Sequence, residues 1–252
     1  MHIDVQFIPD QNAQPPLDDR WVIVIDVLRA TTTIVHALAT GCASVVPCAE
    51  VDEARRRAKE LEEPAVLGGE RGGQRIDGFD LGNSPCEYTA EAIAGKTLVF
   101  TTTNGTRALL AASDAQEILL GAFVNLTAVA RASEKAEHLT IVCAGTGGRI
   151  SREDVLCAGA IIDRLAESLG SVDTSPSANM AHVAWRSLGL DLPVSSRHAD
   201  SLTEWLSMAL ANCRGGRDLV RLGLEADITT AARVDSYELV PRFEAQTGRV
   251  LL

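Results

Sequence analysis

Over the first two-thirds of the chain, short β-rich runs of apolar residues alternate with stretches of helical pattern. The runs predict strands at Ile3–Ile8, Trp21–Ile25, Ser44–Pro47, Ala65–Leu67, Thr97–Thr101, Ile118–Leu120 and Leu139–Cys143. The stretches between them predict helices at Val51–Glu63, Pro85–Ala94, Thr106–Ser113, Leu126–Glu134 and Arg152–Leu169. Alternation of this kind means βαβ units, and so an α/β fold with a mixed, largely parallel sheet flanked by helices. The helix starts are punctuated. Ser84-Pro85-Cys86-Glu87 reads as an N-cap, a proline at the first helical position and a capping-box glutamate. Ser151 before Arg152-Glu153-Asp154 offers a second capped start, and Asn125 a third.

Beyond Gly170 the texture changes. Ser171–Ser177 is a small polar linker, followed by helical stretches near Asn179–Leu188 and Asp200–Ala211. A glycine-rich turn, Arg214-Gly215-Gly216-Arg217, leads into a further helix at Asp218–Leu222, with mixed helix and strand near Ile228–Arg233 and Tyr237–Val240. We expect an α/β core over residues 1–170. A smaller helical and mixed C-terminal subdomain over 171–252 would complete the same site, either as a separate unit or as a cap on one domain.

Composition narrows the function classes. The 252 residues are 46% hydrophobic and only 4% aromatic, so the core is built from Val, Leu, Ile and Ala, as in strands buried between helices. A formal charge of −11 argues against nucleic acid, whose phosphates need a basic surface. An acidic protein handling an anionic substrate must gather its arginines at the site. No run approaches the roughly 18–20 apolar residues of a membrane helix, and MHIDVQFIPDQ has neither the basic start nor the apolar core of a signal peptide. Cys42, Cys48, Cys86, Cys143, Cys157 and Cys213 form no CxxC pair, which reads as reduced thiols in a cytoplasmic protein. His2, His36, His138, His182 and His198 show no zinc-ligand spacing.

Four strand-to-helix turns fall where open α/β sheets bind ligands. In WVIVIDVLRATTTI, Asp26 ends a buried strand ahead of Arg29; it suits a hard-oxygen ligand for Mg²⁺ or a nucleophile for phosphoryl transfer, the bland alternative being a polar capping turn. The run is similar to the DxDxT of haloacid dehalogenases, but Leu28 stands at the second Asp. LGGERGGQRIDGFDLGNSP mixes glycines with Glu70, Arg71, Asn83 and Ser84, giving a cation ligand and anion-binding groups, or else a mobile surface loop. In LVFTTTNGTRALL, the turn Thr102-Thr103-Asn104-Gly105-Thr106 is an anion cradle at a helix start, or only a cap. TIVCAGTGGRISREDVLCAGA offers Gly145-Thr146-Gly147 for an anion and carries Arg149, with Glu153 and Asp154 placed to bind a metal or to favour the helix dipole. Its Cys143 and Arg149 also match the C-x5-R spacing of cysteine-dependent phosphatases, without the preceding His.

Taken together, IDVLRATTTI at 25–34, GGERGGQRIDGFDLGNSP at 68–85, TTTNGT at 101–106, CAGTGGRISREDVLCAGA at 143–160 and RGGRDL at 214–219 resemble the 2-phosphosulfolactate phosphatase family. Asp227, Asp235 and Val240-Pro241 add to the likeness, which spans nearly the whole chain in order. The resemblance implies Mg²⁺-dependent hydrolysis of (R)-2-phospho-3-sulfolactate to 3-sulfolactate and phosphate, a step of coenzyme M biosynthesis. Arg29, Arg71, Arg149 and Arg217 would clamp the substrate's anionic groups. Asp26 and Glu70, joined by Glu153 or Asp154, would hold the metal. The competing readings are the thiol phosphatase using Cys143 and Arg149, and a non-catalytic phosphate-binding module. A homodimer is the base-rate expectation for assembly.

Overall fold

The computed structural model describes residues 1–10, 16–188 and 199–252; His198, one of the five histidines weighed above, lies outside them. Two parallel blocks of strands make up most of one sheet. The first holds β4 (Ala65–Arg71), β6 (Thr97–Thr101) and β3 (Ser44–Pro47), edged by the short antiparallel β5 (Gln74–Arg75). The second runs β7 (Glu117–Gly121), β2 (Trp21–Ile25), β8 (His138–Cys143), β1 (His2–Gln6) and β9 (Asp173–Thr174). Between the blocks lies an antiparallel hairpin from the C-terminus. Its β10 (Arg242–Glu244) pairs with β7, and its β11 (Arg249–Leu251) pairs with β3. The expected mixed, largely parallel sheet is therefore present.

Alternation along β2 shows how the layers form. Val22 and Val24 join the apolar cluster beneath α1 (Ala30–Ala39) and α4 (Gly105–Ala111). Ile23 and Ile25 face the opposite cluster, with α5 (Leu126–Ser133), α6 (Arg152–Leu169) and α7 (Pro176–Arg186). Across β3 and β6 the second face is covered by α2 (Val51–Glu60). A strand buried on both faces has few polar positions, which is why WVIVI and TLVFT read so plainly. The smaller C-terminal helical part comprises α8 (Ala199–Ala211), α9 (Arg214–Arg221) and α10 (Glu225–Ala231). Leu206, Leu210, Leu219 and Ile228 tie it into the larger cluster.

Three local expectations change. The helix expected at Pro85–Ala94 is a 3₁₀ turn at Pro85–Glu87 followed by α3 (Ala90–Ile93), which Thr89 caps by accepting the Ala92 N–H. Tyr88, buried edge-on to Phe100 with its hydroxyl on the Gly82 carbonyl at 2.6 Å, pins the chain between the two pieces. The Arg214–Arg217 turn is itself the first turn of α9. Gly216 serves close packing there, because a Cβ would lie 2.0 Å from the Leu210 carbonyl oxygen. Finally, Tyr237–Val240 is not a strand; its Tyr237 N–H and Leu239 carbonyl bond to Val124 and to Asn125 instead.

Candidate active site

The carboxyl ends of β2, β4, β6 and β8 gather the acidic loops. Asp26 follows Ile25 directly and is buried. Its backbone N–H donates to Thr31 Oγ1 at 3.0 Å, and the Thr31 N–H and hydroxyl return to the Asp26 carbonyl at 3.0 Å each. Thr32 and Thr33 donate to the carbonyls of Val27 and Asn83 at 2.8 and 2.9 Å. The threonine run thus satisfies the polar backbone of a buried turn, whose Leu28–Arg29 peptide is cis. Beneath Asp26 lies Gly105: a Cβ there would sit 2.6 Å from Asp26 Oδ2 and 2.4 Å from Ala30 Cβ.

Glu70, near the end of β4, is also buried, and its two oxygens accept the N–H groups of Thr103 (2.8 Å) and Gly73 (2.7 Å). Asp154, in the first turn of α6, accepts the Val27 N–H at 2.9 Å and the Gly145 N–H at 3.1 Å, joining two of the loops. Glu153 beside it packs against Gly215 of α9, and its Oε2 is buried with no partner among the described residues. So much carboxylate in one place shows in the ionisation. Burial pushes Asp26 up to about 7, helped by Glu70 and Glu153 and opposed by a bond from the Ala30 N–H and by Arg29. Asp154 and Glu153 are also raised, burial being the main cause in each.

Arg29 does not offset this charge freely. It is buried and ion-paired with Asp227 of α10 at 2.7 Å, and it donates a further bond to the Gly73 carbonyl at 2.8 Å. Ser84, expected to cap a helix or to bind substrate, donates to the same Asp227 at 2.5 Å. Arg29 therefore ties α10 to the loop that also holds Glu70.

These loops surround a cavity of about 430 Å³. Asp26, Arg29, Glu70, Asn83, Thr103, Asn104, Thr146 and Gly147 line it, as anticipated for a shared site. Asn83 Oδ1 and Thr103 Oγ1 are buried without a partner among the described residues. The Asn104 side chain accepts the Gly147 N–H at 3.1 Å, linking two of the turns. Other expected residues lie outside the cavity. Thr102 and Thr106 bond to one another as a reciprocal cap at the start of α4, at 3.2 Å and 2.9 Å. Arg71 donates to the carbonyls of Glu70 and Ala49 and to Thr101. Arg149 is exposed, and Arg217 is exposed with its guanidinium on the Asn212 carbonyl. Cys143 is buried in the apolar core, which pushes its thiol well above the ordinary value. A protonated thiol in such a place is no nucleophile, so the geometry weighs against the Cys143–Arg149 route.

The sequence reading missed the wall made by α9. Gly215, Asp218, Leu219 and Leu222 recur at helical spacing and face the cavity, with Arg221 paired to Asp218 at 2.6 Å. That period was available once the helix is started at Arg214. The role of Asp227 had no such signal. Among the described residues, no three histidine, cysteine or carboxylate groups converge closely enough to hold a metal by themselves, and no helix is long and apolar enough to cross a membrane.

A family profile described as 2-phosphosulpholactate phosphatase matches residues 6–246. A protein of Caldanaerobacter subterraneus named probable 2-phosphosulfolactate phosphatase is 39% identical over 230 residues, covering 90% of this chain and 89% of that one. Relatives of the same printed name come from Pseudothermotoga lettingae, 39% identical with coverage of 96% and 95%, and from Clostridium acetobutylicum, 35% identical with coverage of 96% and 97%. The match runs through every loop of the cleft, and the chain belongs to the 2-phosphosulfolactate phosphatase family of phosphoric monoester hydrolases.

Proposed function

We propose that the protein hydrolyses a phosphate monoester on a small anionic acid with the help of Mg²⁺, and that the substrate is (R)-2-phospho-3-sulfolactate. The observation that carries this reading is the unbalanced negative charge at the floor of the cavity. Asp26 and Glu70 both line it, burial together with the nearby Glu70 and Glu153 raises the Asp26 pKa to about 7, and Arg29 is committed to Asp227. A buried Glu153 oxygen without a partner points the same way. Hard oxygen donors of this kind suit Mg²⁺, which binds one or two carboxylates and fills its remaining positions with water and substrate phosphate. A site without a three-carboxylate cage is consistent with that preference.

Asp26 and Glu70 would hold the ion, with Glu153 in support, and when bound it neutralises charge on the transferring phosphoryl group. Asp154, with both oxygens on backbone N–H groups, fixes the loops around Asp26. The Thr103 hydroxyl and the Asn83 amide line the cavity and bind substrate oxygens. Arg29 lines the same space, and Arg221, also lining it, meets one of the acid's other anionic groups, its carboxylate or its sulfonate. The partly apolar wall of α9, with Leu219 and Leu222, limits water around the reacting centre. All six cysteines are free, in keeping with the reducing cytoplasm we assign to the enzyme.

Phosphate release from (R)-2-phospho-3-sulfolactate and a panel of other small phosphoesters, measured with Mg²⁺ and after chelation, tests the reading. Release that requires Mg²⁺ and is fastest with the sulfonated acid is expected. Release that survives chelation would overturn the metal assignment, and a faster turnover of another ester would overturn the substrate.

A further inference from the structure

A second cavity, of about 640 Å³, lies against α10 and shares no lining residue with the phosphatase cleft. Ala226, Thr229 and Thr230, with Arg233 just beyond the helix, recur at helical spacing along it, whereas Asp227 turns off that face to meet Arg29. The polar chemistry here has one sign. In a chain of net charge −11, no carboxylate among the described residues lines this cavity. Among the described residues Arg233 makes no ion pair.

The other polar lining groups are hydroxyls and one imidazole. Thr230 Oγ1 lies 3.6 Å from Cys86 Sγ, Ser236 Oγ donates to the Arg233 carbonyl at 3.1 Å, and His36 Nδ1 is hydrogen-bonded to the Tyr237 hydroxyl at 2.6 Å. Burial lowers His36 below its ordinary value and the Arg233 charge adds to this, so the ring is neutral at pH 7. Among the described lining residues Arg233 is left as the one full charge. Val124 and the Tyr237 ring supply an apolar surface beside it. One unpaired guanidinium, several hydroxyls and an apolar wall in a concave site are the elements that recognise an anionic group carried on a compact apolar body.

We propose that this cavity binds a small organic anion, a carboxylate or sulfonate, with Arg233 as its counter-ion. The site is separate from the phosphatase cleft and does not depend on the reading of that cleft. It carries its own reporter. Cys86 lines the cavity and is exposed, while the other five cysteines are buried, so neutral iodoacetamide alkylates Cys86 selectively.

The test follows the alkylation rate of the whole protein by mass spectrometry, with benzenesulfonate as the anionic probe and benzenesulfonamide as its uncharged counterpart. Benzenesulfonate should slow alkylation by roughly tenfold at about ten times its Kd, as mass action requires of a ligand that covers the thiol. Benzenesulfonamide should not. Arg233→Gln should remove the protection and Arg233→Lys should retain part of it; Arg233 is exposed, so both variants keep the fold. Equal protection by the two probes, protection that persists in Arg233→Gln, or none in the wild type would each overturn the proposal. None of these outcomes bears on phosphate release, so the two readings fail separately.

Discussion

Asp26 is the residue on which most of the cleft's electrostatics converge. Its carboxyl is buried, faces Glu70 and Glu153, and has its ordinary value of 3.8 raised to about 7. The sign of the consequence follows from linkage. A group whose folded pKa is raised binds its proton more tightly in the folded state, so its contribution to stability is fully present below pH 3.8 and is lost as the pH rises through about 7. Without divalent metal, Asp26→Asn should therefore gain stability relative to the wild type between pH 5 and 8, by on the order of a few kcal/mol at the upper end. Parallel thermal melts across that range check it; a constant difference between the two proteins would sink the idea. The same substitution should lower turnover by roughly 100-fold or more, the several kcal/mol that a metal contributes to phosphoryl transfer. Asp26, Glu70 and Glu153 were legible as candidates because an acid at a strand end or helix start stands out against apolar neighbours. The occupation of Arg29 was not, since its partner Asp227 lies 198 positions away.

At the scale of elements, the cleft depends on how closely α4 approaches the end of β2. The Thr102–Thr106 pair closes the first turn of α4 from within, and Gly105 leaves room for the Asp26 carboxyl. Gly105→Ala should accordingly destabilise the protein by about 1–3 kcal/mol through overpacking. It should also reduce turnover by displacing Asp26, although the residue itself does not line the cavity. Urea unfolding and phosphatase assays on the same preparation test both effects; an unchanged denaturation midpoint would show that the helix simply shifts. Elements buried on both faces were read correctly from their apolar runs. Those whose course is set by packing were not. The glycines of α9 look like a turn in sequence, yet they are there to let helices touch.

The whole molecule is closed by its last residues. The β10–β11 hairpin bridges the two parallel blocks, and β7 and β3 meet only through it. A chain ending at Pro241 would leave both blocks with open edges in the middle of the sheet, together with unpaired N–H and C=O groups. We expect that truncation to remove the cooperative thermal transition and to yield aggregating protein. A sharp melt with native near-ultraviolet circular dichroism would contradict this. The same hairpin shows why residues 171–252 are hard to treat as a unit from sequence, since they supply both the helices over the cleft and the strands at the sheet's centre.

By itself the sequence determined the class of fold, the position of most strands and the loops that carry acids and glycines. These features are written in periods of two or 3.6 residues and in the conformational demands of single positions, which a local reading can recover. Only the tertiary structure decided which of those polar groups face the cleft and which are spent on holding it. Thr102, Thr106, Arg71 and Ser84 look like ligands in a list of motifs, but each is engaged with the protein itself. Arg29 is bound just as firmly while still facing the cavity. A buried polar group must find a partner, and whether that partner is a substrate or a residue on a distant helix is settled only when the chain has folded back on itself.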